Sequence, residues 1–402
     1  MANVSSSNGL EKRPKLRFPG FDEPYVLHRI GDIYAERSER GAADMELLSV
    51  TMNGGVMQRS EIEGKDNSSE DKSNYKVVRK GDMVYNSMRM WQGANGVSPY
   101  DGIVSPAYTV LTAKLPICNE YFAALFKNYK LINEFKKNSQ GMTSDTWNLK
   151  YPQIKTIKVY LPRVTEQEKV ASLLVTLDKR IAAQATLVEQ LKKYKRGVMQ
   201  RIFRNMSAVS PSGFETVQLS AIFKKVSRRN NKSEIKNVIT NSAEYGLIPQ
   251  RDFFDKDIAV DGNTSNYYVI EQGDFVYNPR KSNTAPYGPF NRYEREERGI
   301  ISPLYTCLVL QADIEPSYLA WYFKSDAWYR YIYDNGSQGV RHDRVSMTDG
   351  LLMGIPVIIP SKEAQLKIAK LLDCLESRFQ TELSQYESLK SIRVALLQQL
   401  FI

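Results

Sequence analysis

Hydrophobic and polar positions alternate over short segments in two parts of the chain and follow a helical period in two others. Tyr75-Lys-Val-Val78 and Asp82-Met-Val-Tyr85 have the composition of short strands, as do Tyr267-Tyr-Val-Ile270 and Asp274-Phe-Val-Tyr277. From Val170 onward, apolar residues recur at alternating spacings of four and three for five heptads. This spacing is typical of a long helix that packs along a second helix.

The chain contains a long internal repeat. Four groups of residues recur in the same order, and the offset between copies rises only from 192 to 198. The matching segments are Lys80-Gly-Asp-Met-Val-Tyr-Asn86 with Gln272-Gly-Asp-Phe-Val-Tyr-Asn278, Gly102-Ile-Val-Ser-Pro-Ala-Tyr-Thr109 with Gly299-Ile-Ile-Ser-Pro-Leu-Tyr-Thr306, Ser139-Gln-Gly141 with Ser337-Gln-Gly339, and Gln167-x-Lys-x-Ala171 with Gln365-x-Lys-x-Ala369. A repeat of this length is too long for a solenoid, so it predicts a duplicated unit of one globular domain and one long helix.

The globular part of each copy is rich in Val, Ile, Tyr and Phe and is interrupted by Gly, Pro, Asn and Asp. Residues 121–135 and 317–333 have the apolar spacing of helices, so each globular part is predicted to be an α+β domain. The predicted boundaries are a disordered tail at 1–14, domain 1 at 15–163, a first long helix at 164–204, a linker at 205–212, domain 2 at 213–360 and a second long helix at 361–402.

The two long helices carry matching apolar positions. Polar interruptions also match, since Gln184 corresponds to Glu382 and Lys195 to Arg393, which indicates that the helices pack on one another. The residues predicted to pack are Val170, Leu174, Leu177, Ile181 and Leu191 in the first helix and Ile368, Leu372, Leu375, Phe379 and Leu389 in the second.

The ends of the two helices are predicted from capping patterns. Thr165 and Glu168 form a candidate capping box at the start of the first helix, whereas Ser361 opens the second with a less complete pattern. Because the linker is short, the second helix must run back along the first, antiparallel to it. A helix of about 38 residues is roughly 57 Å long. The expected fold is two similar α/β globular domains separated by two long antiparallel coiled-coil helices, with pseudo-two-fold symmetry; in the alternative, the helices are separate amphipathic surface helices.

Composition and charge narrow the possible partners. The chain has 402 residues, which suggests two or three domains, and its 55 Lys and Arg against 45 Asp and Glu give a net charge of +10. Residues 164–204 hold nine basic and four acidic residues, so much of the positive excess lies outside the domains. This balance fits a polyanion such as double-stranded DNA, although a solvated helix face would have the same composition.

The loops that follow the repeated segments differ between the two domains. Residues 86–92 and 278–283 follow the repeated Gly-Asp strands, and 142–146 and 340–344 follow the repeated Gln-Gly. Asn, Gln and Arg pair with adenine and guanine edges in the major groove. The candidate DNA contacts are Asn86, Arg89, Gln92, Thr143, Ser144, Asn278, Arg280, Lys281, Arg341 and Arg344. In the alternative, these are ordinary surface loops, with Trp91 and Trp147 as core anchors rather than base-stacking platforms.

Several chemistries are excluded by what the sequence lacks. The three cysteines are isolated, there are only two histidines, and the sequence has neither a P-loop nor a Gly-x-Gly-x-x-Gly nor an amino-methyltransferase Asn/Asp-Pro-Pro-Tyr/Phe motif. We therefore predict no catalytic and no metal-binding residues in this chain. The longest apolar run, 351–359, is about half of what spans a bilayer, and the polar start has no signal-peptide core, so we expect a cytoplasmic protein without a membrane partner.

The ordered set of motifs resembles the specificity subunits of type I restriction-modification systems over nearly the whole chain. The resemblance rests on Leu16-Arg-Phe-Pro-Gly-Phe21, the paired strands and Ser-Pro-x-Tyr segments, and the two Pro…Gln-x-Lys-x-Ala helices that end in Phe203 and Phe401. It implies two target-recognition domains, each reading one half of an asymmetric bipartite DNA site. It also implies helices that set the spacing and dock methyltransferase subunits, two of them expected, with nuclease-translocase subunits joining. S-adenosylmethionine, ATP and magnesium would then belong to those partners and not to this chain.

Two other functions remain open from the sequence. One is a DNA-modifying enzyme or nuclease that works alone, and the other is a coiled-coil scaffold without a DNA role. Turnover by the purified chain would indicate the enzyme, and absent or salt-independent DNA binding would indicate the scaffold.

Overall fold

The computed structural model describes residues 2–3, 12–40, 44–52, 54–66, 68–253, 264–338 and 344–402. The chain forms two compact units. Unit 1 comprises Met1–Thr186 with Ser384–Ile402, and unit 2 comprises Leu187–Leu383. Each unit therefore contains one globular domain and a segment of both long helices. Most of the predicted tail at 1–14 lies outside the described residues.

Domain 1 is built on a four-stranded antiparallel sheet. Its strand order is Tyr34–Glu36, Tyr108–Ala113, Met83–Asn86 and Asn95–Val97. Val84 pairs with Val110 at the centre of this sheet. Met83 and Tyr85 point into a core of helices, whereas Val84 points into a second core beneath the hairpin at 48–58. The repeated strand is a continuous apolar run because side chains alternate between two faces that are both covered.

Further short elements complete domain 1. Its remaining described strands are Leu16–Arg17, Val26–Arg29, Leu48–Thr51, Gly55–Gln58, Lys76–Val78, Gly102–Val104 and Lys158–Leu161, with Ala2–Asn3 paired to Leu16–Arg17. Its helices are Ile30–Ile33, Asn119–Leu125, Tyr129–Asn138 and Tyr151–Ile154, with 3-10 turns at Arg59–Glu61 and Met90–Gln92.

Domain 2 repeats this architecture. Its four-stranded sheet has the order Phe223–Val226, Thr306–Leu310, Phe275–Tyr277 and Phe290–Arg292, which are the counterparts of the domain 1 strands in the same sequence. Phe275 and Tyr277 again face the helical core, and Val276 faces the smaller core. The internal repeat of the sequence is therefore a repeat of the fold.

The other described elements of unit 2 are short, like those of unit 1. The strands are Phe214–Gln218, Ile239–Ser242, Gly246–Pro249, Tyr268–Ile270, Gly299–Ile301, Ser337–Gln338, Val345–Ser346 and Pro356–Pro360. The helices are Met206–Val209, Leu219–Ile222, Gln250–Phe253, Pro316–Lys324, Tyr329–Asn335 and Asp349–Met353.

The two long helices are Val164–Arg204 and Lys362–Gln399, close to the predicted bounds. In unit 1, Asp178 of the first helix pairs with Arg393 of the second. In unit 2, Lys195 of the first helix pairs with Glu376 of the second. The start of one helix thus lies beside the end of the other within each unit, so the predicted antiparallel arrangement is confirmed.

Each helical core joins a domain to both long helices. In unit 1, Val170 and Leu174 from the first helix and Leu400 and Phe401 from the end of the chain pack with the domain 1 residues. The rings of Phe401 and Tyr121 meet edge to face at 5.1 Å. In unit 2 the corresponding residues include Ile202, Phe203, Ile368 and Leu372, and the ring of Phe203 lies 5.5 Å from that of Tyr322.

One of the two helix caps predicted from the sequence differs from the structure. The first long helix already begins at Val164, so Thr165 lies inside its first turn and is not the cap. Ser361, with the weaker sequence pattern, accepts a hydrogen bond from the Ala364 N–H at 3.3 Å and does cap the second helix. The sequence pattern misplaced the cap because the chain leaves the strand that ends at Leu161 and enters the first helix two residues earlier than a cap at Thr165 requires.

The helices predicted inside the domains are each divided in two. Residues 121–135 fall into Asn119–Leu125 and Tyr129–Asn138, and 317–333 into Pro316–Lys324 and Tyr329–Asn335. At the first break, the Asn128 side chain accepts from the Lys130 N–H and donates to the Leu397 carbonyl in the second long helix. An apolar period alone does not detect such a break, because the apolar face continues across it.

Candidate nucleic-acid interface

The repeated Gly-Asp pair forms the turn that leads into the central strand of each sheet. Gly81 and Gly273 adopt φ values of +93° and +92°, which favour glycine. The Asp82 carboxylate accepts from the Arg79 N–H at 2.9 Å and from the Arg37 side chain at 2.8 Å. The turn therefore fixes the start of the strand, and the loop after the strand begins at a defined position.

The unit 2 turn is held in the same way. The Asp274 carboxylate accepts from the Glu271 N–H at 2.9 Å and from the Arg228 side chain. Burial raises the pKa of Asp274, while its hydrogen bond from Glu271 and the charge of Arg228 act in the opposite direction. The geometry is that of an ionised carboxylate paired with a guanidinium.

The two predicted contact asparagines shape the loops that follow. The Asn86 side chain accepts from the Met88 N–H at 3.0 Å, and the Asn278 side chain accepts from the Arg280 N–H at 3.0 Å. Asn278 is buried and also donates to the Asn241 carbonyl at 3.2 Å. Both side chains thus make Asx turns, a structural role that sequence reasoning did not assign. Their contact with bases stays a prediction.

Domain 1 brings its two predicted loops together. The Leu149 N–H donates to the Ser87 carbonyl at 2.8 Å, which joins the segment after 146 to the loop after Asn86. The rings of Trp91 and Trp147 meet edge to face at 5.3 Å, and both side chains are half-buried. The Lys136 ammonium lies 5.9 Å from the centre of the Trp91 ring. The tryptophans therefore fasten one loop to the other and leave part of each ring accessible.

Domain 2 brings its loops together at the same place. The Val345 N–H donates to the Pro279 carbonyl at 2.9 Å, which is the counterpart of the contact between Leu149 and Ser87. Arg280 and Arg344 are partners in an antiparallel bridge. We call this region of each domain the loop junction: residues 86–92 with 143–149 in domain 1, and 278–283 with 344–346 in domain 2.

The remaining predicted contacts have varied positions. Arg89 and Ser144 are exposed, and Gln92 and Lys281 are half-buried. The Thr143 N–H donates to the Thr146 hydroxyl at 3.1 Å, so Thr143 belongs to a tight turn. Arg341 lies outside the described residues. Except for that residue, the structure places the predicted contacts at the two loop junctions.

Sequence reasoning missed the tyrosine of the repeated Ser-Pro-x-Tyr segment. Tyr108 lies opposite Asn86 in the sheet, and Tyr305 occupies the same position in domain 2, directly before the strand at 306–310. Both arginines of the domain 2 junction lower the pKa of the Tyr305 hydroxyl, although burial keeps that pKa raised. The sequence does indicate this tyrosine, because it recurs in both copies of the repeat while the loops near it differ.

The residues predicted to pack the long helices are buried or half-buried without exception. Those nearest a globular domain are the most buried, since Val170, Leu174, Ile368 and Leu372 are at most 3% exposed. The glutamine of the repeated Gln-x-Lys-x-Ala motif has a defined role. Gln167 donates to the Pro162 carbonyl and accepts from the Cys118 N–H, at 3.0 and 3.1 Å.

Gln365 repeats that arrangement in unit 2. It donates to the Pro360 carbonyl and accepts from the Glu315 N–H, both at 2.9 Å. Each glutamine is 3% exposed and ties the start of a long helix to a short helix of its own domain. The orientation of each domain on its helix is therefore set by the same buried contact.

A lysine from each domain joins the ion pairs between the long helices. The half-buried Lys127 lies near both Asp178 and Arg393, and its pKa is lowered by burial and by the Arg393 charge. Lys324 of domain 2 likewise lies near Glu376 and Lys195, and its pKa is lowered by burial and by the Lys195 charge. The polar interruptions noted in the sequence at 195 and 393 are therefore members of two equivalent charge clusters.

The described part of the chain shows no group of three or more His, Cys, Asp or Glu residues arranged to hold a metal ion. Across the same described residues, no helix combines the length and the apolar character that a membrane crossing would need.

The family model described as the type I restriction modification DNA specificity domain matches residues 36–193. Two relatives from Methanocaldococcus jannaschii are also similar. The MjaX type I restriction enzyme specificity subunit is 25% identical over 147 residues, which is 35% of this chain and 34% of that protein. The MjaVIII specificity subunit is 29% identical over 130 residues, 32% of this chain and 29% of that protein. The chain thus matches about a third of the length of these relatives.

The fold similarity extends over nearly the whole chain. The S subunit of the type I restriction-modification system from M. genitalium superposes with a TM-score of 0.56 at 15% sequence identity, covering 97% of this chain and 99% of that one. Mixed helix and sheet domains joined by a long helix at Val164–Arg204 are thus an arrangement found in solved S subunits. The sequence match to the type I restriction modification DNA specificity domain therefore covers residues 36–193, and the similarity to the M. genitalium S subunit over the rest of the chain is one of fold.

Proposed function

We propose that this chain is the DNA sequence-recognition subunit of a type I restriction-modification complex. The observation that carries the proposal is the pair of loop junctions: the scaffold around them is repeated, while the residues that they present are not. A repeated scaffold with divergent loops suits two domains that bind the same polymer at different sequences. Each domain would read one half of an asymmetric bipartite target in double-stranded DNA.

The long helices would set the spacing between the half-sites and dock methyltransferase subunits, two of them by the pseudo-symmetry of the repeat. Nuclease-translocase subunits would join the same complex. S-adenosylmethionine, ATP and magnesium would be bound by those partners, and this chain would be non-catalytic. The protein would act in the cytoplasm, where the cellular DNA is.

Selection from a library of random duplexes by the purified complex tests this function. We expect enrichment of two short specified stretches separated by a fixed unspecified spacer, and binding that weakens steeply as the salt concentration rises. Enrichment of a single contiguous stretch, or of none, would contradict it. The same selection with the isolated chain tests the alternative of a coiled-coil scaffold. If the chain were only a scaffold, it would show no sequence-dependent binding.

The spacing role has its own test. Removing seven residues, 182–188, from the first helix and the matching 380–386 from the second shortens each helix by about 10 Å. The selected spacer should then shorten by about three base pairs, at roughly 3.4 Å per pair. A folded complex that still selects the original spacer would show that the helices do not determine the distance.

The stand-alone enzyme is the second candidate from the sequence, and the described residues offer no geometry that favours it. Incubation of the chain alone with DNA, S-adenosylmethionine and magnesium should give neither methylated nor cleaved product. Turnover that increases with the amount of chain and survives removal of all partner subunits would support that alternative.

A further inference from the structure

The two loop junctions can be compared position by position. The contact between Val345 and Pro279 matches that between Leu149 and Ser87, so Arg344 corresponds to Asn148 and Arg280 to Met88. The repeated tyrosine turn supports the match, since the Tyr108 and Tyr305 N–H groups donate to equivalent serine carbonyls, both at 2.9–3.0 Å. Domain 2 thus has Arg280 and Arg344 near Tyr305. At the equivalent positions, domain 1 has Met88 and Asn148 near Tyr108.

The backbone of the domain 2 junction is held by two contacts. Arg280 and Arg344 pair across an antiparallel bridge, to which the hydrogen bond from the Val345 N–H to the Pro279 carbonyl belongs, and the Asn278 side chain accepts from the Arg280 N–H. Residues opposite one another in such a bridge carry their side chains on the same face. Both guanidinium groups act electrostatically on the Tyr305 hydroxyl, which places them on one patch.

Two arginines on one face of a strand pair form a patch that is rich in hydrogen-bond donors, and such a patch suits a ligand rich in hydrogen-bond acceptors. A guanidinium presents its donors in a rigid fork, which matches the O6 and N7 acceptors on the major-groove edge of guanine. The same fork also fits a phosphate of the DNA backbone.

The divergence between the domains favours binding to a base over binding to a phosphate. Every half-site has the same phosphate backbone, so residues that bind phosphate have no reason to differ between two copies of one scaffold. Met88 is 39% exposed and carries no charge, yet it occupies the position of Arg280. Substitution at a repeated surface position is expected of residues that read bases, because only the bases differ between half-sites.

We propose that Arg280 and Arg344 read the major-groove edge of a guanine in the half-site bound by domain 2, and that domain 1 makes no such contact at the equivalent position. This inference rests on the proposed function, since it names the chemistry that one junction recognises. The half-site of domain 2 must then contain at least one guanine whose N7 is required.

The first test changes only the DNA. Once selection has given the target, each guanine is replaced in turn by 7-deazaguanine, which keeps the Watson–Crick pair but lacks the N7 acceptor. The purified complex of the unaltered chain should lose about tenfold or more in affinity at one guanine or more of the domain 2 half-site. Full affinity at every such guanine, or a domain 2 half-site without guanine, would overturn the inference while leaving the proposed function intact.

The second test uses variants that carry the domain 1 residues, Arg280→Met and Arg344→Asn. They should bind the unmodified target about tenfold more weakly and should no longer distinguish guanine from 7-deazaguanine. Arg330→Ala is the matched control, because Arg330 is an exposed domain 2 arginine paired with Asp334. Equal losses by the variants on target and unrelated DNA would indicate phosphate binding and overturn the inference. If the unaltered complex selects no sequence, the proposed function itself fails.

Discussion

Unit 1 and unit 2 share their strand order, their Gly-Asp turns and their glutamine contacts, but the starts of their long helices differ. In unit 1, Glu166 is 1% exposed and forms a two-pronged ion pair with the buried Arg17, at 2.9 and 2.8 Å. Unit 2 has Ala364 at the matching position, beside a cavity of about 370 Å³. The loop junctions differ as well.

This comparison separates two kinds of position. The glutamine that ties each domain to its helix and the Gly-Asp turn that leads into each sheet are present in both copies, because both copies must fold in the same way. Residues at the loop junctions and at the start of the first helix diverged without changing the strand order. The scaffold therefore tolerates local change, and variants can distinguish contacts that both units need from contacts that stabilise one unit alone.

The largest effects are expected at the two terminal phenylalanines of the repeat. Phe203→Ala and Phe401→Ala should each cost about 3–5 kcal/mol of stability, because each ring fills the core between a domain and both helices. Hydrogen exchange read by mass spectrometry should show protection lost in unit 2 for the first and in unit 1 for the second. Loss spread equally over both units in either variant would show that the cores are not independent.

The buried ion pair should matter in one unit alone. Glu166→Ala leaves the Arg17 guanidinium buried without its carboxylate and should destabilise unit 1 by about 3 kcal/mol. Glu363→Ala is the control, since it removes an exposed acid from the start of the second helix and should have little effect on the unfolding transition. Similar unfolding midpoints for the two variants would mean that the buried pair adds nothing particular to unit 1.

The glutamine contacts should be equivalent. Gln167→Leu leaves the half-buried Cys118 N–H without its acceptor, and Gln365→Leu does the same to the half-buried Glu315 N–H. Each should cost about 1–3 kcal/mol in chemical unfolding. A cost confined to one unit would show that the shared motif has diverged in role.

The smallest expected effect depends on pH. Because the pKa of Lys127 is lowered in the folded chain, the unfolded chain binds more protons as the pH approaches 10.5. The penalty for burying the ammonium is therefore fully present at neutral pH and is relieved as the pH rises through the folded pKa. Lys127→Met should be more stable than the unaltered chain at pH 7, by a margin that shrinks toward pH 10. A margin that grows with pH would contradict the sign of this shift.

Much of the fold was predictable from residues that recur. The repeated strands, the two long helices and their antiparallel course follow from apolar periodicity and chain order, and these predictions are confirmed. The cap of the first helix was wrong, because Thr165 offers a capping pattern inside a helix that begins at Val164. The position of the cap depends on where the preceding strand ends in the folded domain, and the local sequence does not determine that position.

The candidate site was predictable in part. The loops were identified because they differ beside segments that repeat, but their meeting in space was not, since roughly 50–65 residues separate the two loops of each domain. The turn roles of Asn86 and Asn278 were also missed, because an asparagine that pairs with adenine and one that caps a turn look alike in sequence. Only the hydrogen bonds of the folded chain distinguish the two.

The most direct test of two independent reading domains is a map of methylated bases in cells that carry the complete restriction-modification system. It would be made once with this chain and once with its domain 2 exchanged for the second domain of a known specificity subunit. The account predicts a bipartite asymmetric motif with an unspecified spacer, of which the exchange alters one stretch only. A single contiguous motif, or a change in both stretches after the exchange, would contradict it.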